Sequence, residues 1–197
     1  MMKVQRNEIL DLGSYEQIRE RFRAAVIAEK QHRRCQISDE LSIVFENHST
    51  VLFQIQEMLR TERITRESAI QHEIDTYNDL IPAARELSAT LFVEIADRDT
   101  RDRRLVELAG LEGAFAIEID GVVAPARNET RGVLPDRTTA VHYLKFPLSP
   151  NMAEALGSSG AAASVKLLVR HPRLEVVRPL PADVVRAIAE DLVTDAR

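Results

Sequence analysis

An α+β fold is expected from three observations. Helical periodicity dominates residues 1–83, short β-prone runs between turn signals dominate residues 84–197, and Pro82 separates the two stretches. The expected architecture is a helical N-terminal block, one helix plus a helical hairpin, packed on an antiparallel sheet with flanking helices. The order β-α-β-β-α-β in the second stretch resembles a split βαβ arrangement. Pro82 to Glu86 is too short and too ordinary to be a linker, so blocks 1–83 and 84–197 are expected to form one compact unit.

Each element has its own warrant. Ser14 is a candidate N-cap for a helix running to Arg34, with Tyr15, Ile18, Phe22, Ala25 and Val26 on one apolar stripe. Leu41 to Phe45 is a β-prone run. Ser49 and Thr65 are candidate caps for two further helices. The first turns Val51, Leu52, Ile55, Met58 and Leu59 inward, and the second Ile70, Ile74, Tyr77 and Ile81. Only Thr61 to Ile64 separate these helices, which makes them an antiparallel hairpin.

In the second block Leu87 to Ile95 reads as a strand and Thr100 to Ala109 as a helix. Ala114 to Ile119 and Val122 to Ala126 flank an Asp120-Gly121 hairpin signal. Arg127 to Thr138 reads as a polar loop and Ala140 to Phe146 as a strand. Ser149-Pro150 opens a short helix, and Gly157 to Gly160 is a turn. Strands follow at Ser164 to Arg170 and Arg173 to Val177. A last helix carries Val184, Val185, Ile188 and Leu192.

Composition narrows the chemistry. The chain has 197 residues, a net charge of −5 and 45% hydrophobic residues, an ordinary globular balance. Net acidity argues against a nucleic-acid coat, which needs a positive field. No stretch is apolar enough for a membrane span, and no apolar leader is visible at the start. A single cysteine, Cys35, supplies neither an internal disulfide nor a cysteine cluster for metal, so a cytoplasmic setting is expected. Phosphate-loop, dinucleotide-binding, zinc-protease and nucleophile-elbow motifs are absent. No cofactor is expected.

The stretches Phe45 to Ile64, Glu86 to Ile95, Thr139 to Pro150 and Arg170 to Pro172 resemble a bacterial family of about this length that is catalogued as a domain of unknown function. That family has no assigned activity, ligand or catalytic residue, so the resemblance carries over no site. Some members resemble neighbours of rubrerythrin-like and iron–sulfur proteins in bacterial gene clusters, and what the resemblance implies is a link of those members to redox physiology.

Four constellations stand out. Arg19, Arg23, Lys30, Arg33 and Arg34 fall near one line of the first helix. The stripe reads either as a site for phosphate or an RNA backbone or as a solvated face paired with Glu16 and Glu20. Gln54, Glu57 and Asn78 are candidates for a polar network between the blocks. The Glu-x-x-His spacing of di-iron bundles is missing. His142 and His171 sit on neighbouring predicted strands, where a carboxylate such as Glu94 or Glu118 could join them as base or metal ligand; otherwise each is a hydrogen-bonded structural histidine. Cys35 follows His32, Arg33 and Arg34, cations that lower a thiol pKa, although a lone cysteine is usually structural.

The function expected from these readings is that of a cytoplasmic accessory protein binding a protein partner, its contact surface the hairpin Ser49 to Ile81 with the basic stripe beside it. A homodimer is the commonest assembly for such chains. The alternatives are a small-ligand or metal-binding enzyme with a dispersed site on the sheet, and phosphate or RNA binding through Arg19, Arg23, Lys30 and Arg34.

Overall fold

In the computed structural model, residues 1–128, 134 and 136–194 are described. The chain runs through α1 (Leu12–Gln31), β1 (Arg34–Gln36), β2 (Leu41–Phe45), α2 (His48–Thr61), α3 (Glu67–Asn78), β3 (Glu86–Val93) and α4 (Arg98–Glu107). It continues through β4 (Phe115–Ile119), β5 (Val122–Pro125), β6 (Arg127–Asn128), β7 (Val141–Pro147), α5 (Pro150–Ser159), β8 (Val165–His171), β9 (Leu174–Pro179) and α6 (Ala182–Thr194).

The α+β class and the antiparallel pairing are as expected, but the strands divide between two sheets. One has the order β1-β2-β3-β7-β6 and the other β5-β4-β8-β9. All strand pairings among the described residues are antiparallel, so no parallel βαβ crossover occurs there. The sheets meet at a corner where one extended segment changes partners. Its first part pairs Ala116 with Pro125; Ala126 N–H then bonds the Phe115 carbonyl at 2.9 Å, and Arg127 pairs with Lys145. On the far side the Arg178 guanidinium reaches from β9 to the Ile37 carbonyl beyond β1, at 3.1 and 3.2 Å.

Period-two alternation places the main core on the inner faces. Leu87, Ala89, Leu91 and Val93 of β3, Leu144 and Phe146 of β7, Ile117 of β4 and Leu167 of β8 join Leu105 of α4, Leu156 of α5 and Val184 and Ile188 of α6. The opposite face of β3 carries Ser88 and Thr90, and both are buried. There the Glu46 carboxylate, 8% exposed, accepts from Thr90 at 2.6 Å and from Thr50 of α2 at 2.5 Å. A second core of Val51, Ile55, Leu59, Ile70 and Ile74 holds α2 to α3, and Tyr143 of β7 packs against it. β1 and β2 precede Pro82 in sequence, yet they share a sheet with β3 and β7.

Several boundaries shift. Asp11 caps α1 by accepting from Ser14 N–H at 3.0 Å, so Ser14 lies inside the helix. Asn47 and not Ser49 caps α2, and α3 begins after Arg66 without a side-chain cap. α1 stops at Gln31 because Arg34–Gln36 pair with Ser42–Val44 in a hairpin. Gly157, Ser158 and Ser159 belong to α5, not to a turn. The Asp120-Gly121 hairpin forms as expected, with φ of 47° and 84°, the left-handed pair that a tight two-residue turn requires.

Candidate functional site

The predicted basic stripe does not form one surface. Arg19 of α1 is spent on Glu57 of α2, with Nε to Oε1 at 2.8 Å, and the same carboxylate accepts the Tyr15 hydroxyl at 2.8 Å. The Arg19 hydrogen bond holds Glu57 below the usual carboxylate range against the effect of burial. Arg23 is exposed, and the Lys30 ammonium lies 6.0 Å from the centre of the Phe53 ring. Arg33, 6% exposed, forms a fork with Asp191 of α6 at 2.6 and 3.0 Å. Arg34 stands on β1, off the helix altogether, and pairs with Glu94 at 2.5 Å.

Gln54, Glu57 and Asn78 take separate partners. Gln54 bonds Tyr77, and Glu57 bonds Tyr15 and Arg19. Asn78 mimics a strand by accepting Val4 N–H at 2.8 Å and donating to the Val4 carbonyl at 3.0 Å. Gln56, a further polar residue of the hairpin, does the same for Leu10 at 2.7 and 3.3 Å. These amides strap the N-terminal segment to the helical hairpin. Cys35 is buried on β1, and burial pushes its thiol up, away from the reactive thiolate.

The two histidines serve different elements. His171 ends β8; its Nδ1 accepts Arg173 N–H at 3.2 Å, so Nε2–H donates to the Ala109 carbonyl at 3.0 Å. His142, 6% exposed, points from β7 into the core, with Nε2 2.9 Å from the Thr138 hydroxyl. Thr138 in turn donates to Glu112 at 3.1 Å. The carboxylates suggested as partners lie elsewhere: Glu94 pairs with Arg34 and Glu118 with Lys166. Among the described residues no three His, Cys, Asp or Glu side chains are grouped to hold a metal ion.

The polar groups that do converge lie on the other face of β7. A hollow of about 320 Å³ is lined by Asp79 and Leu80 after α3, Arg127 and Asn128 of β6, and Tyr143 and Lys145 of β7. Arg127 and Asn128, expected in a loop, form a short edge strand with Arg127 directly opposite Lys145. The remainder of that expected loop that falls on residues 129–133 and 135, Arg131 included, lies outside the described residues. The Lys145 ammonium is steadied by Glu86 at 2.9 Å and the Ile81 carbonyl at 3.1 Å. Two cations set directly across a strand pair repel one another; Glu86 offsets part of that cost at Lys145, and an anion between the two offsets more. The only sequence signal was the pair of alternations that put Tyr143 and Lys145 on one face; the pairing with Arg127 is a tertiary event.

Comparison with known proteins matches residues 3–192 to a family described as "Protein of unknown function (DUF3501)". The chain belongs to the DUF3501 family. A solved structure from Burkholderia pseudomallei K96243, titled a novel protein of unknown function, is similar to it. The two share 31% identity and a TM-score of 0.90, over 97% of this chain and 100% of that one. No curated protein matches the sequence. The DUF3501 match thus extends over nearly the whole chain, and among the described residues no helix is long and apolar enough to cross a membrane.

Proposed function

We propose that this DUF3501 protein binds a small anionic ligand, a phosphate or polycarboxylate compound, in the hollow between β6, β7 and the end of α3. The carrying observation is the cross-strand pair Arg127 and Lys145, two cations facing one hollow of about 320 Å³ that Asp79 also lines, with Glu86 paired to Lys145. Asn128 and Tyr143 line the same space, and the Tyr143 phenol adds hydrogen-bonding capacity. Leu80 gives the ligand a small apolar wall. The reading is the dispersed sheet site considered from sequence, moved from the histidine face of β7 to its tyrosine and lysine face.

The test is thermal unfolding with inorganic phosphate, pyrophosphate and succinate at low salt. At least one raises the melting temperature, the effect weakens as potassium chloride is added, and it is lost in Arg127→Ala. Three anions without effect, or an effect undiminished in Arg127→Ala, would overturn the assignment.

A second reading, an accessory protein that contacts a partner or its own copy in the cytoplasm, rests on a different observation. Val122 and Val123 on β5 and Val177 on β9 are exposed apolar side chains of the second sheet. A link to redox physiology would then come through that partner, since burial keeps the Cys35 thiol protonated. Sedimentation of the wild type beside Val177→Lys checks it: a monomer in both removes the self-association version.

A further inference from the structure

The buried His142 has no part in the anion hollow, yet it is built into a chain of polar groups that runs outward. Thr138, 2% exposed, is fixed by its own N–H to the Leu105 carbonyl of α4 at 2.8 Å, which holds its hydroxyl between two acceptors. On one side is His142 Nε2 at 2.9 Å, and on the other Glu112 Oε2 at 3.1 Å. The Thr139 backbone and the Glu112 charge both favour the charged imidazole, against the effect of burial.

One hydroxyl has one proton to give, so the chain has two arrangements. With His142 neutral and its proton on Nδ1, Nε2 accepts the Thr138 O–H, and Glu112 loses that donor. With His142 protonated, Nε2–H donates to the Thr138 oxygen, and the Thr138 O–H turns to the Glu112 carboxylate. Both arrangements keep the same heavy-atom positions. A proton arriving on Glu112 passes to the Thr138 oxygen while Thr138 gives its own to Nε2, so the charge balances at every atom.

We propose that Glu112, Thr138 and His142 form a proton relay in which the Thr138 hydroxyl turns from imidazole to carboxylate as His142 charges, tying the 111–113 turn to the start of β7. The surroundings leave Glu112 as the partner. β3 offers Leu91 opposite His142, and the main core around it is apolar. On α4, Arg101 is engaged with the Ile95 carbonyl, and Arg104 with Glu40 and Glu107. Asp102 of α4 takes Arg137, and His171 at the end of β8 is bound to Ala109. Glu112 is half-buried, so the outer end of the relay reaches solvent while the inner end does not. The bond so formed is a latch that tightens on acidification, and it is independent of the anion site.

The experiment is a pH titration followed by NMR of the His142 ring nitrogens and the Glu112 side-chain carboxyl carbon. It uses the full chain as wild type, Glu112→Gln, Thr138→Val and the double variant. In the wild type the Glu112 carbon shows a second inflection at the His142 midpoint, and Glu112→Gln lowers that midpoint by about half a unit or more. Thr138→Val abolishes the second inflection, and Glu112→Gln then moves His142 far less. A wild-type Glu112 signal blind to the His142 midpoint overturns the relay, and it needs no variant to fold. So does a Glu112→Gln effect of equal size with and without the Thr138 hydroxyl, which is what plain charge attraction gives.

Discussion

Arg127 stands directly opposite Lys145 where the short β6 pairs with β7, so two cations share one face of a sheet edge above the end of α3. Like charges so placed work against the strand pair, a cost that Glu86 on Lys145 offsets only in part, and opposite charges support it. Stability and binding therefore pull in opposite directions at position 127. Arg127→Glu is expected to stabilise the folded protein by about 0.2–1 kcal/mol while removing anion binding. Urea unfolding and phosphate titration on the same variant check both halves.

Glu46 is a carboxylate enclosed between helix and sheet with Thr50 and Thr90 as donors. Removing it leaves the buried Thr90 hydroxyl to find a new partner, while Thr50 keeps its bonds to the Asn47 backbone. Glu46→Ala is expected to cost about 1–3 kcal/mol. Thr90→Val, which takes away one donor and leaves Thr50 in place, costs less. Denaturant midpoints of the two variants give the ranking.

The strap formed by Asn78 on Val4 exchanges both backbone bonds of that residue with one side chain. Asn78→Ala is expected to destabilise by about 1–3 kcal/mol and to speed amide exchange at Val4, with little change in the central strand β3. Residue-resolved hydrogen exchange distinguishes local release from global loss.

Burial depresses the His142 imidazole below its ordinary value, more than the Glu112 charge and the Thr139 bond raise it. The unfolded chain therefore binds a proton more readily than the folded one. The stability tied to His142 is fully present above the unfolded value of about 6.5 and is lost as pH falls from there through the depressed folded value. His142→Gln is expected to flatten this part of the pH–stability curve, measured by urea unfolding between acid and neutral pH.

The Cys35 thiol sits on β1 among core side chains with its pKa pushed up by burial. Alkylation of the native protein at neutral pH is expected to be slow and to reach completion only on unfolding. Mass spectrometry after iodoacetamide treatment reads this directly. Rapid labelling of the folded chain would reopen a redox role.

Much of the fold was legible wherever the deciding interaction is local. Ser149-Pro150 starts α5 as read, and Asp120-Gly121 makes the hairpin as read. Leu87, Ala89 and Leu91 alternate as a strand does. The capping errors are local near-misses: Asp11 and Ser14 are both capping residues three apart, and they bond one another. β1 was hidden because Arg34 and Gln36 are polar and continue the charge pattern of α1, while their strand state comes only from pairing with β2. β6 was hidden for the same reason, being two polar residues that pair with Lys145 and Leu144.

The sequence by itself determined the α+β class, the antiparallel strands and the apolar faces, because periodicity and turn chemistry act over a few residues. It also determined which side chains share a face of β7: His142, Leu144 and Phe146 on one, Tyr143 and Lys145 on the other. Only the tertiary structure decided that the strands divide into two sheets, that Arg19 and Arg34 are taken by carboxylates, and that Arg127 meets Lys145. Those pairings join residues far apart in the chain, and their energies arise only when long loops have already closed.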